Sequence, residues 1–215
     1  MPIKFKREVN EGGYTMDLEV DFDHENHTAV LRDKKKDTLY NFKTQIMSTK
    51  VALVLSGGGA RGLAHIGVIE ELEKQGYEIS SIAGTSMGAL VGGIYASGKL
   101  DEFKKWITGL SRHEMFLLVD FNFGGGGIIK GEKVLNAIKK VVPDQDIESL
   151  PIPYSATATD IIKHEEVVYQ SGSLFYAIRA SIAIPSVFTP ITEGDSVIVD
   201  GGVLNPLPIN LISKD

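Results

Sequence analysis

Polar and apolar residues alternate near the start of the chain: Tyr14, Met16, Leu18, Val20 and Phe22 are interleaved with Thr15, Asp17, Glu19 and Asp21. A period of two predicts a half-buried antiparallel strand. Asp23 to His27 reads as a turn and Thr28 to Arg32 as the return strand. Lys34-Lys35-Lys36 reads as a solvated turn before a further strand at Leu39–Phe42. Residues 1–46 are therefore expected to form a small β-rich extension, a meander packed on the main domain. His24 and His27 lie in an acidic turn and are read as solvated rather than as metal ligands. Met47, just ahead of the next segment, would serve as an alternative start.

The pattern changes at residue 51. Val51 to Leu55 is a continuous apolar run, as expected of a strand covered on both faces of a parallel sheet. Gly57-Gly58-Gly59 follows. Leu63, Ile66, Ile69 and Leu72 then recur at helical spacing, and Gln75-Gly76 closes that helix. A second strand, Ile79 to Ala83, runs into Gly84-Thr85-Ser86-Met87-Gly88, and an Ala/Gly-rich helix continues to Ala96. Residues 101–107 predict a short amphipathic helix; Phe103, Trp106 and Ile107 are read as half-buried in the core rather than as a lipid-touching patch.

Met115 to Phe123 is an apolar cluster ahead of Gly124 to Gly127, a loop suited to flank a channel or act as a lid. Glu132 to Val142 predicts a helix stopped by Pro143. Tyr154 to Ile162 and Glu165 to Gln170 read as strands, Ser173 to Ile184 as a helix, and Ile191 to Val199 as a hairpin pair ending at Asp200-Gly201-Gly202. Strands alternating with helices predict an α/β sheet, largely parallel in its first half, for a main domain over residues 47–215.

Composition narrows the chemistry. The 215 residues are 43% hydrophobic and 23% charged, as in a globular protein with a full core. A formal net charge of −6 argues against nucleic acid as a partner. There is no cysteine, which excludes disulfides, thiolate metal sites and cysteine nucleophiles. Neither a signal-peptide core nor an apolar run of spanning length occurs, so a cytoplasmic location with at most peripheral membrane contact is expected.

Gly84-Thr85-Ser86-Met87-Gly88 has the G-x-S-x-G form of a nucleophile elbow, in which a strained strand-to-helix turn presents a serine hydroxyl. Such a serine needs a base. His113 and His164 follow Ser86 without the context of a triad histidine, and His65 is read as structural. Asp200 is the better candidate: it ends a buried strand, where open α/β sheets place their sites, and partial desolvation would raise its basicity. A turn aspartate before Gly-Gly is the plain alternative. Backbone amides at Gly57, Gly58, Gly59 and Arg61 open the first helix and concentrate donors for an oxyanion. The same loop satisfies G-x-G-x-x-G, which keeps a dinucleotide reading open. That reading expects an acidic residue at the end of the second strand, where Gly84-Thr85-Ser86 stands.

Taken together, Gly57-Gly58-Gly59-Ala60-Arg61-Gly62 with His65 and Gly67, Gly84-Thr85-Ser86-Met87-Gly88, Arg179-Ala180-Ser181 with Pro185, and Asp200-Gly201-Gly202 with Asn205 and Pro206 resemble the patatin-like phospholipase family across about residues 50–210. The resemblance implies a three-layer α/β sandwich with a mainly parallel central sheet. It also implies lipid acyl-ester hydrolysis at a membrane or micelle surface, without metal or cofactor. Ser86 would be the nucleophile, Asp200 the base and the Gly57–Arg61 amides the oxyanion hole, with Ser181 and Pro185 shaping the wall. The family usually continues with further helices after the aspartate, so a C-terminal truncation is expected. A catalytically silent lipid-binding module of the same fold is the alternative from a different class.

Overall fold

The computed structural model describes residues 8–11, 14–23, 28–33, 38–43, 49–111 and 135–212; in the first four stretches it describes the backbone. The chain divides into two compact units, residues 1–48 and 49–215. The first is a four-stranded antiparallel sheet of β1 (Glu8–Glu11), β2 (Tyr14–Asp23), β3 (Thr28–Asp33) and β4 (Thr38–Lys43), in that order. Val20 opposes Leu31 and Leu31 opposes Tyr40, so apolar positions share rows across the strands. His24, His27 and Lys34–Lys36 lie outside the described residues.

The second unit opens with β5 (Thr49–Leu55), a 3-10 turn over Gly59–Leu63, and α1 (Ala64–Lys74). It continues with β6 (Tyr77–Thr85), α2 (Met87–Ala96) and α3 (Leu100–Gly109). After a short helix at 135–139 come β7 (Tyr154–Asp160), β8 (Glu165–Tyr169), α4 (Leu174–Ser181), β9 (Ile191–Glu193) and β10 (Ser196–Asp200). The expected elements appear with their ends shifted by a few residues. The helix expected over Ser173–Ile184 stops at Ser181, because Ile182 to Phe188 fold into tight turns ahead of β9.

These strands form a mixed six-stranded α/β sheet of order β5-β6-β7-β10-β9, with β8 also paired to β7. β5, β6 and β7 run parallel, with helices in the connections between them. From β7 onward the pairing is antiparallel. β7 is buried along its whole length and holds the middle of the sheet. β6 pairs with its first half and β10 with its second, both along the edge opposite β8, so these two strands, separated by 110 residues of chain, meet end to end.

One continuous core joins Leu55, Ile66, Ile69, Ile82, Val91, Ile94, Phe103, Leu174 and Ile178. α3 presents Leu100, Phe103 and Ile107 to it, with Trp106 packed alongside at 5.9 Å from the Phe103 ring. The amphipathic stretch therefore packs inward, as its spacing suggested. The Gly124–Gly127 loop and His113 lie outside the described residues.

α2 comes unusually close to the sheet. A Cβ at Gly84 would stand 2.6 Å from Ala89 Cα, and one at Gly88 would overlap the Leu55 carbonyl. The Tyr154 hydroxyl, buried, donates to the Ala89 carbonyl at 2.8 Å and ties β7 to the same helical turn. Gly88→Ala is expected to lower the unfolding free energy by about 2–3 kcal/mol through overpacking against backbone that cannot yield; urea denaturation measures it.

Candidate active site

Ser86 stands between β6 and α2 with φ 54° and ψ −120°. A non-glycine residue in this region stores about 1–3 kcal/mol and persists only where its surroundings hold it. The turn lifts Ser86 out of the strand ladder, and the side chain is nonetheless 6% exposed. Its Oγ donates to Asp200 Oδ2 at 2.6 Å. The two residues proposed from sequence as nucleophile and base are thus brought into contact across 114 positions of chain.

Asp200 ends β10, pairing with Ala158 of β7. Its other carboxylate oxygen accepts from the Gly202 amide at 2.7 Å, and its own N–H donates to the Ala183 carbonyl at 2.9 Å. Gly201 presses on the Thr157 carbonyl so tightly that a Cβ there would overlap it. Burial pushes the Asp200 carboxyl above its ordinary range, outweighing the opposing hydrogen bonds from Ser86 and Gly202. The carboxylate is therefore more basic than an exposed one.

The glycine loop runs beside this pair; Gly57 lies 3.4 Å from Ser86 Cβ, measured from the position a side chain would take. Gly59 has φ 53°, which glycine adopts without strain. One expectation is corrected here. The Gly57 amide donates to the Pro206 carbonyl at 3.0 Å, so it is committed to holding the loop rather than available to an incoming oxygen. Arg61 is exposed in the middle of the 3-10 turn. His65 Nε2 contacts the Ser56 carbonyl at 2.9 Å, in keeping with a structural role, and His164 sits exposed in the β7–β8 turn. Among the described residues, no group of three or more His, Asp or Glu side chains is placed to hold a metal ion.

Sequence reading missed two sets of contacts. Ser181, expected to line the wall, is fully buried; its Oγ accepts from the Ser86 amide at 2.8 Å and donates to the Thr157 carbonyl at 2.6 Å. Behind the aspartate, Glu166 of β8 accepts from Thr157 Oγ1 and from Asn205 Nδ2, both at 2.7 Å. The Asn205 carbonyl in turn accepts from Thr85 Oγ1 at 2.8 Å. Asn205 was visible as part of a motif. Glu166 carried no local signal, since its partners lie 9 and 39 residues away.

The patatin-like phospholipase family model matches residues 53–212, and the chain belongs to that family. An uncharacterized NTE family protein of Mycobacterium bovis is 49% identical over 162 residues, covering 75% of this chain and 45% of the relative. A protein named lysophospholipase NTE1 from Debaryomyces hansenii is 34% identical over 177 residues, covering 79% of this chain and 11% of the relative. The chain thus spans less than half the length of these curated relatives. Among solved structures, VipD from Legionella pneumophila aligns with a TM-score of 0.48 at 18% identity, covering 99% of this chain and 52% of that one. Among the described residues no helix is long and apolar enough to cross a membrane.

The buried carboxylate has a consequence for stability. Because the folded-state pKa of Asp200 is raised, the folded protein binds a proton that the unfolded chain has already lost, and stability falls as pH climbs from the unfolded to the folded value. Above that window the cost of burying the charge is fully present. Asp200→Asn should therefore melt higher than wild type near neutral pH, and the difference should vanish below about pH 4, near the ordinary aspartate pKa. Thermal melts across pH measure it.

Proposed function

We propose that this chain is a serine acyl hydrolase that cleaves fatty acyl esters of phospholipids or related lipids through a Ser86–Asp200 dyad. The observation that carries the reading is the 2.6 Å hydrogen bond from the strained elbow serine to a buried, basicity-enhanced carboxylate. Ser86 Oγ attacks the ester carbonyl while Asp200 takes its proton. As the tetrahedral intermediate collapses, the ester C–O bond breaks and the proton passes to the departing alcohol, leaving an acyl-enzyme. Water then gives its proton to Asp200 and attacks the acyl carbon. The fatty acid leaves as the proton returns to Ser86.

Negative charge on the carbonyl oxygen would be met by amides of the glycine loop. With the Gly57 amide directed to Pro206, the donors in this reading are Gly58, Gly59 and Arg61. Family membership and the lysophospholipase name of the fungal relative support a lipid ester as substrate, met at a membrane or micelle surface. No step calls on a metal or a cofactor.

Ser86→Ala should abolish hydrolysis of a lysophospholipid in mixed micelles together with fluorophosphonate labelling of the chain. Labelling that survives the substitution would remove Ser86 from its role, and wild-type protein that neither labels nor turns over would identify a silent lipid-binding module. Turnover should be unchanged by EDTA. The acid limb of kcat/KM should fall with an apparent pKa above that of an ordinary aspartate, since protonated Asp200 cannot accept from the serine.

A further inference from the structure

We propose that Ser181 is a positioning residue for the Ser86 nucleophile, its hydroxyl replacing the strand-ladder bond that β6 gives up at the elbow. The inference rests on the hydrolase reading for its kinetic consequence but not for its structural content. β6 and β7 pair in parallel up to Thr85 opposite Thr157. In a parallel ladder the next bond would run from the amide of residue 86 to the carbonyl of Thr157. Ser86 cannot make it, because its φ of 54° turns the backbone away. The result would be a buried donor and a buried acceptor without partners beside the nucleophile, which folded proteins avoid.

Ser181 Oγ fills that gap. It accepts from Ser86 N–H at 2.8 Å and donates to the Thr157 carbonyl at 2.6 Å, so its one proton and one of its lone pairs are both assigned. The side chain is inaccessible to solvent, and no water can take its place without rearrangement. Ser181 is also the last residue of α4, and two residues on, the Ala183 carbonyl accepts the Asp200 amide at 2.9 Å. One short segment thus holds the backbone of both members of the dyad. Thr157 is its counterpart on the sheet: its carbonyl receives Ser181 and abuts Gly201, directly after Asp200. The nucleophile and the carboxylate are registered against the same peptide group.

The contact acts on orientation, not on substrate. Without it the Ser86 peptide is free to rotate toward ordinary φ, which swings Oγ off Asp200. Loss of the hydroxyl should appear in kcat, leaving KM close to its starting value, and retention of a hydroxyl should restore it.

The test compares Ser181→Ala and Ser181→Thr with wild type. Amide hydrogen exchange at Ser86, followed by NMR, reads the structural contact directly; turnover of a lysophospholipid in mixed micelles reads its consequence. Ser181→Ala is expected to speed exchange at Ser86 by tenfold or more while Ile82 and Ala83 in β6 stay protected. It should also lower kcat 10- to 100-fold with KM within twofold, and Ser181→Thr should recover most of both. Unchanged exchange at Ser86 would overturn the proposal. So would exchange raised uniformly through β6 and α2, or a loss that threonine does not recover, since either marks packing alone. If Ser181→Ala fails to fold, Ser181→Cys, which keeps volume and weakens the bonds, carries the same comparison. Faster Ser86 exchange in a protein whose wild type has no esterase activity would uphold the contact and count against the hydrolase reading only.

Discussion

Everything at the site depends on a hydroxyl and a carboxylate meeting where water is nearly excluded. Ser86 follows β6 and Asp200 ends β10, and the two strands meet end to end along one edge of β7, the edge opposite β8. β6 runs parallel to β7 and β10 antiparallel to it, so their C-terminal ends converge on the same point, at Thr157 and Ala158 of β7. The 2.6 Å hydrogen bond at that junction depends on the strand against which both ends are registered, and β7 is buried at all seven of its residues.

The close approach of backbone to backbone serves this geometry. Gly84, Gly88 and Gly201 each occupy a place where a methyl group would meet main-chain atoms, and all three flank Ser86 or Asp200. A bulkier residue there would have to move a helix or a strand, and with it one half of the pair. The burial that makes Asp200 basic is part of the same arrangement, since the packing that excludes water also raises the cost of its charge. Stability and chemistry are therefore set against each other at one carboxylate, a common compromise at functional sites.

Much of this was legible in the chain because the signals are local. Apolar runs at Val51–Leu55 and Ile79–Ala83, separated by a helical period, predict the parallel first half. Ser86 stands in a G-x-S-x-G pattern with a β-prone run before it and a helical run after it, the context of a strand-to-helix elbow, and Asp200 sits between a β-prone run and two glycines. What could not be read depends on register between distant segments. The change from parallel to antiparallel at β7 leaves no mark on any one strand. Ser181 looked like a wall residue because its two partners, Ser86 and Thr157, lie 95 and 24 positions away. The Gly57 amide counted as free until the return of the chain at Pro206 was known. Glu166 is one acidic residue among several on an exposed turn and strand, and only the fold brings Thr157 and Asn205 to it.

The return of the chain after Asp200 bears on how the protein is made. Contacts that close the site span 95 to 120 residues, from Ser181 to Ser86 and from Asn205 to Thr85. Pairings of such separation form late, after nearer ones have repaid their loop entropy. On the ribosome the elbow emerges long before the carboxylate has been synthesised, and the clasp at Asn205 and Pro206 comes later still. The nascent polypeptide thus carries its serine without its partner until the end of this unit has cleared the exit tunnel.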